Sequence, residues 1–105
     1  MLHIIRMVYI QLKKSTNPEK KYMAIFYDEA RKKIKTTHFG SAGMNDFTLT
    51  NDIDAKNRYI ARHSANENWN EYMTSGSLSR WLLWHKPTLS ASYNDYIKKF
   101  GLKKY

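Results

Sequence analysis

The chain has no cysteine, which excludes disulfides, thiolate nucleophiles and a cysteine-based zinc site and fits a reducing compartment. Long apolar runs are missing too. The stretch from Leu2 to Leu12 is interrupted by His3, Arg6 and Gln11 and followed by a turn. It is therefore neither a secretory signal nor one of the segments of roughly 20 residues that cross a bilayer. A soluble, intracellular protein is expected. Acidic residues are few, nine against eighteen lysines and arginines, for a formal net charge of +9. The excess sits at the two ends: nine basic and three acidic residues in 1–45, three and five in 46–76, six and one in 77–105. Such a field attracts polyanions or acidic protein surfaces and weakens with salt, because exposed charges are screened over about 8 Å at physiological ionic strength.

What is present suits one small core. A chain of 105 residues, 42% hydrophobic and 14% aromatic, makes a single domain, and it shows no internal repeat and no low-complexity tract. Residues 1–39 read as a β-meander. Leu2, Ile4, Val8, Ile10 and Leu12 share one parity, with Ile5, Met7 and Tyr9 on the other; KKSTNPEKK is an exposed turn; YMAIFYD alternates Tyr22, Ala24 and Phe26 against Met23, Ile25 and Tyr27. The third strand, within RKKIKTTHF, sets Ile34 and Thr36 against Lys33, Lys35 and Thr37, a pattern suited to a strand with one wet face or at an edge. Residues 40–105 read as helical. A helix is expected over 52–65, capped by Asn51 or Asp52, with Ile53, Tyr59 and Ile60 on its apolar side and Arg58 and Arg62 one turn apart. Thr74 or Ser75 starts a short helix that Pro87 prevents from continuing. Thr88 caps the last one, whose buried face is Leu89, Tyr93, Tyr96, Ile97 and Phe100 and whose stop is Gly101. The expected architecture is α+β, a three-stranded antiparallel meander packed with two to three C-terminal helices.

The segment RHSANENWNEYMTSGSLSRWLLWHKP, residues 62–87, concentrates all three tryptophans, two histidines and two glutamates. His63 and Glu67 are four apart and, with His38 and His85, could serve a metal-dependent nuclease, but HExxH spacing and a compact second ligand pair are missing. Their expected role is as polar anchors that bond to backbone or pair with Arg58 and Arg62. No nucleophile elbow accompanies the serines, and Gly40 and Gly43 form no phosphate loop, so no enzyme is expected and no cofactor or small-molecule substrate is implied. At least two of Trp69, Trp81 and Trp84 are expected inside, their indole N–H groups bonded to Glu67, Glu71 or a carbonyl. The candidate surface for a polyanion or acidic partner comprises Lys13, Lys14, Lys20 and Lys21 around the first turn and Arg31, Lys32, Lys33 and Lys35 around the second. In a meander these turns lie at opposite ends of the middle strand, so they do not automatically form one patch.

From FGSAG to YIKKF the chain resembles a family of small uncharacterised proteins encoded by large nucleocytoplasmic DNA viruses. The resemblance rests on Phe39, Gly40 and Gly43, DFT at 46–48, RYIARH at 58–63, Glu67, Trp69, Thr74, Gly76, LSR at 78–80, LW at 83–84, PTL at 87–89, Ser92, Tyr96 and Phe100. Thr50 stands where that pattern leads one to expect histidine. The family's function is unknown. The resemblance implies a viral product carried in the virion, and a compact basic domain suits a minor capsid protein bound to neighbouring capsid proteins. A DNA-binding protein of the viral genome or core is the alternative, and the nuclease reading the second.

Overall fold

The computed structural model describes residues 7–105, so the expected strand positions Leu2, Ile4 and Ile5 lie outside it. In chain order the elements are β1 (Tyr9–Lys14), β2 (Lys20–Tyr27), β3 (Lys33–Ser41), α1 (Phe47–Thr50), α2 (Ile53–His63), α3 (Ser75–Leu78), a π-helical turn (Ser79–Leu83), α4 (Leu89–Phe100) and β4 (Lys103–Lys104). The architecture is α+β. The sheet has order β3-β2-β1-β4 and is antiparallel in its first three strands.

The fourth strand corrects the three-stranded expectation: β4 runs parallel to β1, pairing Lys103 with Tyr9 and Lys104 with Ile10. Its lysines show no strand pattern. The strand forms because α4 stops at Gly101 and Leu102 drops into the core at 7% exposure, leaving the amides of Lys103 and Tyr105 to bond the carbonyls of Val8 and Ile10. An open edge of β1 is thereby satisfied.

One parity of each strand faces the helices. Ile10, Ala24, Phe26 and Phe39 pack against Leu78, Leu82, Leu83, Tyr96 and Leu102, all at or below 7% exposure. On β3 the expected apolar position Ile34 is 48% exposed, while Thr37 and Phe39 turn inward. Ile34 shares the parity of Thr36 and His38, the face turned away from the core, and a bulge adds to its isolation. Phe26 pairs with Lys35 but Tyr27 with Lys33, which leaves Ile34 without a partner on β2.

Caps set the helix starts. Asp46, Asp52, Thr74 and Thr88 each accept an amide hydrogen bond from the first turn that follows. Tyr59 is the buried residue of α2, and Ile53, expected on its apolar side, is 63% exposed because it lies at the exposed start of a rim helix. The π turn, closed by Trp84 N–H on the Ser79 carbonyl, carries Leu82 and Leu83 into the core with Trp81 and Trp84 beside them. All three tryptophans are half-buried, where two were expected inside. Each is flanked by a cation or a ring: Trp84 lies 4.6 Å from Tyr59, Trp81 lies 4.4 Å from Arg80 and 4.5 Å from Lys99, and Trp69 lies 5.4 Å from Arg80. No helix among the described residues is long and apolar enough to cross a membrane.

Gly40 marks the tightest junction of sheet and helices. Its φ is +77°, and a Cβ placed there would come within 2.8 Å of Leu83 Cδ1. Gly40→Ala is expected to lower unfolding free energy by about 1–3 kcal/mol in urea titration, through left-handed strain plus crowding. Gly43→Ala, with φ +81° and open space around it, should show the strain alone and therefore the smaller loss.

Candidate binding cleft

A cleft of about 370 Å³ opens between the start of β2, the end of β3, α2 and α3. Its floor is an ion pair. Lys21 Nζ lies 2.5 Å from Asp46 Oδ2, with the two side chains 13% and 3% exposed, and Asp46 Oδ1 accepts from the Thr48 amide and hydroxyl. Asp46 thus caps α1 and balances a partly buried lysine at once. Such a pair is costly to break singly because one charge is left uncompensated.

The α2 wall is aromatic. The Tyr59 ring is stacked on Trp84 at 4.6 Å and 7°, and His63 lies 4.3 Å from it. Burial, helped by the nearby Glu67 carboxylate, pushes the Tyr59 phenol up to about 12. Lys20 and Arg62, both exposed, line the cleft from β2 and α2. Across from them the Glu67 carboxylate lies over Gly76, so close that a Cβ on Gly76 would meet Glu67 Oε2 at 2.0 Å. Ser75 and Ser79 complete that side.

The helix ends at His63, and a turn through Ser64–Asn66 brings Glu67 into the cleft from a separate segment. The expected pairing of His63 and Glu67 with Arg58 and Arg62 gives way to a tilted ring contact of His63 with Tyr59 and to contact of Glu67 with Gly76. The ion pairs of the described residues are Lys21 with Asp46 and His85 with Asp95. His38 bonds Ser15 Oγ at 2.7 Å, and His85 lies 2.5 Å from Asp95, whose carboxyl that bond holds below the usual carboxylate range. The three histidines of the metal reading occupy three separate places. Among the described residues no group of three or more His, Asp and Glu is arranged to hold a metal.

The lysine-rich turns do fall at opposite ends of β2. Lys13, Lys14, Lys20, Lys32, Lys33 and Lys35 are exposed and, among the described residues, have no carboxylate within 4.0 Å. Lys21 is taken up by Asp46, and the Arg31 guanidinium lies 4.5 Å from the Tyr9 ring. Arg58 is exposed. The remaining anchors Tyr93, Tyr96 and Phe100 sit on the core face of α4. Trp81 donates to the Trp69 carbonyl at 3.0 Å, one of the acceptor types anticipated, whereas the buried Trp69 Nε1 bonds neither Glu67, Glu71 nor a carbonyl of the described residues. Sequence reading missed Asp46 as the cleft's counter-ion, although an aspartate two residues before a threonine at a helix start is the available signal. It also missed Ser75 and Ser79, which carry none.

Residues 10–63, just over half of the chain, match the family described as "Family of unknown function (DUF5754)". The chain belongs to that family. The DUF5754 segment runs from Ile10 in β1 to His63 at the end of α2, so it holds the Lys21–Asp46 pair and the Tyr59–His63 ring contact. It overlaps the span of the sequence resemblance at 39–63. No curated protein and no solved structure matches the chain.

Two outcomes test this arrangement. Asp46→Ala, which removes a cap and strands Lys21, should cost about 3 kcal/mol in chemical denaturation. For Tyr59 the folded phenol ionises near 12 and the unfolded one near 10, so the folded state binds more protons in that window and stability falls as pH rises through it. The loss reaches on the order of 2 kcal/mol. Tyr59→Phe should flatten that part of a urea-midpoint-against-pH profile.

Proposed function

We propose that this DUF5754 protein is a non-enzymatic binding component of a large DNA virus particle, a minor capsid protein that docks acidic segments of neighbouring capsid proteins across the cleft. The observation that carries the docking surface is the cleft's charge arrangement. Lys20 and Arg62 come from different elements, line one opening and have no carboxylate within 4.0 Å among the described residues; Asp46 in the floor is neutralised by Lys21, which leaves Glu67 as the single carboxylate of the lining against these two cations. Lys13 and Lys14 extend the positive field along the first hairpin. The viral setting is supported by the motif resemblance of residues 39–100.

A non-catalytic role is supported by how the reactive side chains are used. His38 and His85 bond a serine and an aspartate, His63 packs at a tilt against the Tyr59 ring, and Asp46 caps a helix. Arrangements of this kind hold shape. An acidic chain laid across the cleft places carboxylates near Lys20 and Arg62, and electrostatic matching of this sort sets partner choice and encounter rate more than raw affinity.

Binding of a polyglutamate peptide, followed by calorimetry, should be measurable at about 50 mM salt and fade as screening rises. The double variant Lys20→Glu/Arg62→Glu should weaken it about tenfold with no change in melting temperature, as expected for rim charges. Mass spectrometry of purified particles should find the chain. Its absence there would reject the capsid reading.

A further inference from the structure

We propose that the sheet face turned away from the helices is a platform for single-stranded nucleic acid, separate from the cleft. The helices pack on the parity of Ile10, Ala24, Phe26 and Phe39. The opposite parity presents Tyr9 and Lys13 on β1, Tyr27 on β2, His38 on β3, and Lys103 and Tyr105 at β4, brought into line by the pairs Tyr9 with Tyr27 and Tyr9 with Lys103.

Three tyrosines and an arginine gather at one end of this face. Tyr105 is stacked on Tyr27 at 3.8 Å and 18°, and the Arg31 guanidinium lies 4.5 Å from the Tyr9 ring and 5.5 Å from that of Tyr105. Tyr27 is fixed from below by its hydroxyl, which donates to Gln11 Oε1 at 3.0 Å. Tyr105 is 48% exposed and Arg31 is exposed, so the outer part of this group is open to solvent while the half-buried Tyr27 and Tyr9 hold it in place. Bases stack on such planes whatever their sequence.

Charge on this face complements a phosphate backbone. Lys13 and Lys103 are exposed, and none of the strand residues of this parity is acidic. Asp28 and Glu29, in the β2–β3 turn at the tyrosine end, accept the backbone amides of Lys32 and Met7. From Tyr9 to Lys13 the face is about 13 Å long, and its four strands span about 14 Å, enough for the two or three stacked bases that other sheet platforms carry. An acidic protein would be drawn by the same lysines but would gain little from a pile of flat rings, so stacking selects the nucleic acid.

The test is fluorescence anisotropy with a labelled oligothymidylate of about 12 nucleotides, its abasic counterpart of equal length and charge, and unlabelled polyglutamate as competitor, at about 50 mM salt. The thymidylate strand should bind about fivefold or more tighter than the abasic one. Tyr105→Ala and Arg31→Lys should each remove that preference while leaving abasic binding unchanged. Polyglutamate should displace the thymidylate strand only at large excess. The proposal is overturned if no strand binds, if the abasic strand binds equally well, if polyglutamate competes on equal terms, or if Arg31→Lys, which keeps the charge, retains wild-type affinity. Should Tyr105→Ala disturb folding, as near-ultraviolet circular dichroism would reveal, Arg31→Lys decides alone. Because Lys20→Glu/Arg62→Glu acts at the cleft, its effect on polyglutamate is read separately, and either reading can fail without the other.

Discussion

The segment between α2 and α3 has no regular structure, and the fold depends on how its carbonyls are satisfied. Ser77 Oγ and Trp81 Nε1 both donate to the Trp69 carbonyl, Tyr96 Oη to that of Tyr72, and Thr37 Oγ1 to that of Met73. A buried carbonyl without a partner costs about 1–3 kcal/mol, so four such donors determine whether this connection can close over the core. Because they do, α3 begins where Thr74 caps it, and Glu67 reaches Gly76 to form the far wall of the cleft. Burial drives the Tyr96 phenol well above its ordinary range, so it remains a donor at any physiological pH. The same donors connect three layers: Thr37 belongs to the sheet, Ser77 and Trp81 to the short helical region, and Tyr96 to α4.

A formal charge of +9 overstates the free positive surface, since many of the cations are partnered with rings. Arg31, Lys56, Arg80, Lys99 and Lys104 each lie within 5.4 Å of an aromatic centroid. Arg80 goes furthest inward. It is held by a hydrogen bond to the Trp84 carbonyl, and burial lowers its pKa. Lys56 donates to the His85 carbonyl and is lowered first by burial, then by repulsion from Arg80 and Lys86. Arg80, Lys99 and Lys104, half of the basic residues after residue 76, therefore act as packing for tryptophans and tyrosines, their aliphatic stems covering rings that the small core leaves at the surface. The lysines of the first hairpin have no such rings over them, which is why the accessible field is stronger there.

The starts of α2, α3 and α4 and the end of α4 were legible because their signals are local, whereas the one-turn α1 and the π turn were not anticipated. Asp52, Thr74 and Thr88 cap as their residue types predict, Gly101 ends α4, and the spacing of Leu89, Tyr93, Tyr96, Ile97 and Phe100 gives its buried face. The meander and its turns were legible for the same reason. What failed to show was non-local. Nothing in Lys103–Lys104 announces a strand, because its pairing with β1 is created by the burial of Leu102 and joins opposite ends of the chain. Ile34 looks like the inward residue of β3, but the core takes the other parity, Thr37 and Phe39, a choice set by the helices that pack there and not by β3's own residues. Of the cleft, His63, Glu67 and Trp84 stood out by residue type, but their juxtaposition with Lys21 and Asp46 required the start of β2 to meet the cap of α1, a contact between residues 25 apart.

The family segment holds much of the cleft yet only part of the core that supports it. Ile10, Ala24, Phe26 and Phe39 lie inside residues 10–63, and each is fully buried. Their helical partners Leu78, Leu82, Leu83 and Tyr96 lie outside. A meander with one apolar face bare exposes area worth roughly 25 cal/mol per Å², and a sheet this small cannot be independently stable without a layer on that face. The 64–105 half is thus the structural complement of the DUF5754 segment: α4, α3 and the π turn cover one face, and β4 closes the edge of β1. By leaving the Tyr9–Tyr27 face free of helices, the same arrangement separates the chain's two aromatic and basic surfaces, one built into a cleft and the other spread across strands.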